Sequence, residues 1–423
     1  MVLTGFLIIV ANVVNRNEDL KKTLKISHIL LVIFMVFTFF LLLKDEAPVR
    51  NDYSFRDITY EDSNSLKAYS SIKKILSSFD AGAVEPDTEA IKDLDNYLKN
   101  ADIIRKLWHQ IEPYRSIVEE LDTYNEFGSI YKEEQLNFKT SGLNFSLLRA
   151  ISEIYQAYSI LKIDQGYTEE GLKQLCRLHS VARKGFAGSG TLIDKKIWLY
   201  VIKKNIDTAY KIITTRKCST FTYRFLQKNF RPLIREEISF ETVFIAEYLM
   251  TKRYINNTVT AASFFDSFNM VSDEKKNAGF FKSLLSSIVY YLSFKKNSTI
   301  NDYRTFITYY IEGGNYNPPD FSTAKDYLEV YLHSPQLLNM AGWIFINVSY
   351  PDYDKLCSSI SDTKVKSDML AISIAELLNE TIDINDYYTG TPYNLQKTGF
   401  ELLTPGRDGV TGTDDDIILG GNK

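Results

Sequence analysis

The chain has 423 residues, 45% of them hydrophobic and 24% charged, which is enough apolar mass for a packed core and too much for a disordered chain. A formal net charge of -4 offers no basic surplus for phosphate, so nucleic acid is not an expected partner. Cys176, Cys218 and Cys357 are too few and too widely spaced for a disulfide framework or a zinc site.

The first segment, Leu3 to Val14, is apolar but too short to span a bilayer. Ile26 to Leu43 then runs for 18 residues without a charge, and 14 of these are Ile, Leu, Val or Phe. As a helix it is about 27 Å long at 1.5 Å per residue, close to the ~30 Å of a hydrocarbon core, and it reads as a transmembrane helix over 26–43. Arg16, Lys21, Lys22 and Lys25 outweigh Glu18 and Asp19 ahead of it. The positive-inside rule therefore assigns residues 1–25 to the cytoplasm. The expected localisation is a single-pass membrane protein with its bulk extracytoplasmic, facing the periplasm from the inner membrane in a cell with two membranes. Residues 44–63 are polar and read as a linker.

From 64 to 380 the pattern is helical, and no proline falls between Pro113 and Pro232 or between Pro232 and Pro318. Helices are expected over 64–79, 86–99 and 101–125, with Pro113 kinking the last or starting a new one. Leu147, Leu148, Ile151, Ile154, Tyr155, Tyr158 and Leu161 recur at three- and four-residue steps, as one buried helix face requires. Gly166 breaks this run, and Leu172, Leu175, Cys176 and Ala182 form the stripe of an antiparallel second helix, with Thr168 as its expected cap. Thr191 followed by Asp194 predicts the capped start of a third. Further helices are expected near 220–230, 233–255, 276–293, 299–311, 322–332, 336–347 and 363–379. The fold class is mainly α, with an irregular helical bundle or solenoid-like body. Residues 160–185 resemble half a tetratricopeptide repeat, but no second copy follows at the required period.

Chemistry is sparse along this body. There is no phosphate loop, dinucleotide fingerprint or His-Glu-x-x-His sequence. Gly188-Ser189-Gly190 leaves a helix, where a nucleophile elbow would leave a strand, and reads as an interhelical turn. Cys176 and His179 stand one helical turn apart, although packed residues are the expected reading for both. Glu237, Glu241 and Glu247 read as a solvated helix face. Aromatic pairs such as Phe264-Phe265, Phe280-Phe281, Tyr290-Tyr291 and Tyr309-Tyr310 fit core packing better than a glycan or peptide groove.

Residues 381–423 change character. Turns at Thr389-Gly390 and Thr398-Gly399 flank short runs at 393–397 and 400–404, which predicts a β-hairpin, and Ile417 to Leu419 offers a third strand. Between them lies a loop with Gly406, Asp408, Gly409, Gly412, Asp414, Asp415 and Asp416. Glycines let such a loop curl, and hard carboxylate oxygens are what Ca²⁺ prefers, whereas an acidic solvated turn is the plainer alternative. The order Gly390-x-Pro392-Tyr393, Gly399-Phe400, Pro405-Gly406-x-Asp408-Gly409 and Gly412-Thr413-x-Asp415-Asp416-Ile417 resembles the C-terminal hairpin and calcium loop of type II secretion major pseudopilins. That resemblance implies calcium as the bound ion and Asp408, Asp414, Asp415 and Asp416 as its ligands. The stretches 147–183, 190–210 and 295–306 are similar to those of long bacterial proteins with a single N-terminal anchor, a helical body and this same tail.

These readings converge on a non-enzymatic binding or scaffold protein of the cell envelope, with an envelope protein or polymer as partner and a structural calcium site. Two alternatives remain open at this level. One is an accessory protein of a pseudopilin or type II secretion-like system; the other is a hydrolase assembled from distant residues such as His179 or His333 with carboxylates.

Overall fold

The computed structural model describes residues 44–49, 52–54, 97–127, 145–216, 218–257, 294–316, 320–333, 353–399 and 401–420, with Ile33, Met35, Ala68, Asn339, Gly342, Trp343 and Ile346. The apolar segment 3–14, nearly all of 26–43, the expected helices over 64–79 and 276–293 and most of 86–99 and 336–347 lie outside the described residues. So do three of the aromatic pairs, at 264–265, 280–281 and 290–291.

Membrane anchorage is corrected here. No helix among the described residues is long and apolar enough to cross a membrane, which stands against the single-pass anchor and the localisation built on it. The 24-residue helix from Leu192 to Thr215 is amphipathic: it buries Ile197, Trp198, Val201, Ile202 and Ile206 while interleaving Lys196, Lys203, Lys204 and Lys211. A helix striped in this way faces protein on one side and water on the other.

The chain is mainly helical with a small antiparallel sheet at its C-terminal end. Helix α1 (Ala101–Gln110) turns at Ile111 into α2 (Glu112–Thr123), where Pro113 sits in the first turn and needs no hydrogen-bond partner for its nitrogen. The expected hairpin is α3 (Phe145–Asp164) and α4 (Thr168–Ala187), joined through Gly166 at φ +88°. Tyr167, not Thr168, is the N-cap residue of α4, and no side chain caps it. At Gly185 a β-carbon would collide with the Trp198 indole, so this glycine lets α4 lie close against α5 (Leu192–Thr215).

Beyond these come α6 (Thr220–Asn229), the single turn α7 (Arg235–Ile238), α8 (Glu241–Asn257), α9 (Lys296–Gly314), α10 (Ser322–His333) and α11 (Tyr353–Leu377). The helix expected over 233–255 is thus two helices broken at Ser239, and α11 begins ten residues ahead of its expected start. Strands β1 (Gln396–Thr398), β2 (Glu401–Thr404) and β3 (Ile417–Leu419) pair antiparallel in the order β1-β2-β3, with Thr398 opposite Glu401 and Leu402 opposite Leu419.

The chain divides into two units. One comprises Met1–Val49, Thr258–Asp302 and Ser334–Ser349; in it Asp45 accepts the N–H groups of Asn297 (2.6 Å) and Ser298 (3.0 Å), placing a carboxylate at the start of α9. The other comprises Arg50–Asn257, Tyr303–His333 and Tyr350–Lys423. In this second unit α4 is central, packed by α2, α3, α5, α6 and α7, while α11 packs against α5, α6 and β3. Phe244, Phe306, Tyr310 and Tyr353 form its aromatic core, with Phe244 edge-on to Tyr353 at 5.1 Å and Phe306 edge-on to Tyr310 at 5.0 Å. Tyr310 is therefore a core residue.

Candidate functional site

The four carboxylates expected to bind calcium lie on the loop between β2 and β3. Asp408 Oδ1 accepts from the Val410 N–H (2.8 Å), and Asp416 Oδ2 accepts from the Gly412 N–H (2.7 Å). Asp415 accepts from the Asp408 N–H (3.1 Å) and from the Thr413 hydroxyl (2.7 Å), and the Thr413 bond holds its carboxyl below the usual carboxylate range. Asp414 is exposed. Among the described residues no group of three or more His, Cys, Asp or Glu side chains is arranged to hold a metal ion. The carboxylates close turns on the loop's own donors. One atom stands apart: Asp416 Oδ1 is shielded from solvent and has no hydrogen-bond partner.

The residues considered for nucleophilic chemistry are packed away. His179 is fully buried, its ring stacked on Phe230 at 4.1 Å, and burial with the nearby Arg183 and Arg231 charges pushes its pKa well down. Burial likewise pushes the Cys176 and Cys357 thiols up, away from thiolate. Ser189 is buried and donates to the Gly185 carbonyl (2.8 Å), as an interhelical turn residue does. His333 and His109 are exposed at helix ends.

Glu237 and Glu247 do not form the solvated face expected of them; only Glu241 is exposed. Glu237 is buried because two cations reach it: Arg183 through Nε (2.9 Å) and Nη2 (2.5 Å), and Arg231 through Nη2 (3.2 Å). Burial acts to raise the Glu237 pKa, but the Arg183 bonds and charge outweigh it and leave the carboxyl below its usual range. Arg183 also donates to the carbonyls of Arg231 (2.5 Å) and Pro232 (3.1 Å), and Lys195 Nζ donates to the Glu237 carbonyl (3.3 Å). The short helix α7 is thereby pinned to α4 and α5 from beneath.

That pinned turn is one wall of a groove of about 630 Å³ within the second unit. Arg235 and Glu236 of α7, Asn315 and Tyr316 just beyond α9, and the 383–390 segment line it. Arg235 donates to the Asn315 carbonyl and ties the first two walls together. The third wall is set by Asp386, whose carboxylate accepts the N–H groups of Tyr388 (2.8 Å) and Thr389 (3.0 Å), while its own N–H donates to Thr391 (2.7 Å). Lys364, also in the lining, is held by both oxygens of the buried Asp368 (2.5 and 2.6 Å).

Sequence reading missed this groove because its walls come from segments up to 155 residues apart (235 to 390) and no short motif carries it. The one local signal was the Asp386-x-x-x-Gly390 spacing, which matches a turn nucleated by an aspartate. No protein-family model, curated protein or solved structure matches the chain.

Proposed function

We propose that the chain is a non-enzymatic binding protein, in which an irregular helical bundle holds the groove between α7, the end of α9 and the 383–390 segment ready for a partner. The observation that carries this reading is preorganisation. Buried ion pairs and an aspartate turn fix the groove walls, while Arg235, Glu236, Asn315, Tyr316 and Asp383 remain exposed on them. Packing of α5 on α11, far apart in the chain, supports a bundle over a solenoid, whose repeats touch only their neighbours. The burial of His179, Cys176 and Cys357 supports binding over hydrolysis.

The test is crosslinking of the full chain in native extract, comparing the parent with an Arg235→Glu/Asp383→Lys variant. Capture of a partner by the parent that is lost in the variant is expected. Equal capture by both, or no captured partner together with no ligand bound in titration, overturns the reading.

A second reading, a structural calcium ion on the 408–416 loop, is supported by the unpartnered Asp416 Oδ1. Asp416 can offer Oδ1 to a cation while Oδ2 keeps the Gly412 N–H. A melting temperature that rises with millimolar calcium and falls back with chelator is expected; indifference to both removes the ion from the account.

A further inference from the structure

The groove's ligand chemistry can be read from what its walls leave exposed. Lys364 is committed to Asp368, and Asp386 to the amides of its own turn. The charges still facing the groove are Arg235 against Glu236 and Asp383, a small negative excess that disfavours phosphate, sulfate or carboxylate ligands. Around them stand the amides of Asn315 and Asn385, each offering donor and acceptor together. Of the apolar wall residues, Ile238 and Phe240 are buried, and Ile384 and the Tyr387 ring are half-buried. The most open aromatic surface in the lining is the Tyr316 ring, 63% exposed.

Mixed donors and acceptors, no positive field and an exposed aromatic face suit a neutral ligand rich in hydroxyl groups. A hydroxyl both donates and accepts without charge, and the C–H face of a sugar ring lies against an aromatic face. The volume of about 630 Å³ falls mid-range for small-molecule sites, which run to roughly 300–1,000 Å³. We infer that this groove binds a neutral oligosaccharide, with Tyr316 as the stacking platform and Asp383, Glu236 and Asn315 as hydroxyl partners. The inference rests on the binding-protein reading above and names its ligand class.

The test uses the full chain in calorimetric titration against neutral tri- and tetrasaccharides of glucose, mannose and N-acetylglucosamine, with a uronic-acid tetrasaccharide as charged comparator. Binding of at least one neutral sugar is expected, weakened at least tenfold in Tyr316→Ala and in Asp383→Ala. Both positions are exposed, so the melting temperatures of the variants should match the parent's. Absence of neutral-sugar binding, tighter binding of the uronic comparator, or affinity unchanged in both variants overturns the inference. If sugars fail while partner capture still depends on Arg235 and Asp383, the binding-protein reading stands and only the ligand class falls.

Discussion

Lys195 is the most unusual single residue in the described chain. Only 1% of it is exposed, yet its ammonium meets two carbonyls, of Phe186 (3.2 Å) and Glu237 (3.3 Å), and the Phe186 ring at 4.3 Å, with no carboxylate bonded to it. Burial lowers its pKa to about 7 from an ordinary value of 10.5, against smaller raising effects of Cys357 and Glu237. Below about pH 7 both folded and unfolded chains hold this proton, and the full desolvation cost is present. Between about 7 and 10.5 only the unfolded chain holds it, so stability climbs with pH at up to about 1.4 kcal/mol per unit. Glu247, pushed up to about 7 chiefly by burial, acts with the opposite sign between about 4.5 and 7, where the folded chain alone keeps the proton. Lys195→Met is expected to abolish the climb above pH 7, as followed by urea unfolding at pH 6, 7, 8 and 9; profiles parallel to the parent's would show that Lys195 keeps an ordinary proton affinity. None of this was legible from sequence, where nothing local marks Lys195 as buried. Burial is decided by Phe186 and Glu237, 9 and 42 residues away.

At the scale of elements, local signals served well where partners are close in sequence. The α3–α4 hairpin followed from its apolar period and Gly166, and the start of α5 from Thr191 and Asp194. There the Thr191 hydroxyl accepts the Asp194 N–H (3.2 Å) and donates to the Asp194 carboxylate (2.8 Å). Thr191→Ala should cost roughly 1–2 kcal/mol in chemical unfolding, with Thr191→Ser recovering most of it; equal loss in both variants would assign the effect to the methyl group's packing. Local signals failed where tertiary contacts set the boundary. Ser239 breaks the expected 233–255 helix because Glu237, its neighbour but one, is drawn down to Arg183. At the early start of α11, Tyr353 packs its ring against Phe244 and Tyr310, and the preceding Pro351-Asp352 is a start signal that the apolar period alone overlooks.

For the molecule as a whole, the C-terminal module is stitched to the body along α11. Tyr388 donates to Asp362 (2.5 Å), Tyr393 to the fully buried Asp368 (2.9 Å), and Arg407 pairs with Asp362 (3.5 Å). A hydrogen bond to a charged group is worth about 1.5–3 kcal/mol, so Tyr393→Phe with Tyr388→Phe should loosen the module as a block. Hydrogen exchange is expected to speed up at 396–419 and to stay slow in α3, α4 and α5; unchanged exchange at 396–419 would mean that β3 packing alone holds the module. The hairpin and its third strand were readable from turn residues, but their docking was not, since Asp362 and Asp368 look like ordinary surface acids in a helical run. The sheet's two margins differ in consequence. β3 is covered by α11, whereas β1 is exposed along all three of its residues and carries Lys397 at its middle. An open margin so short, with a cation at its centre, is a poor template for a strand from another copy.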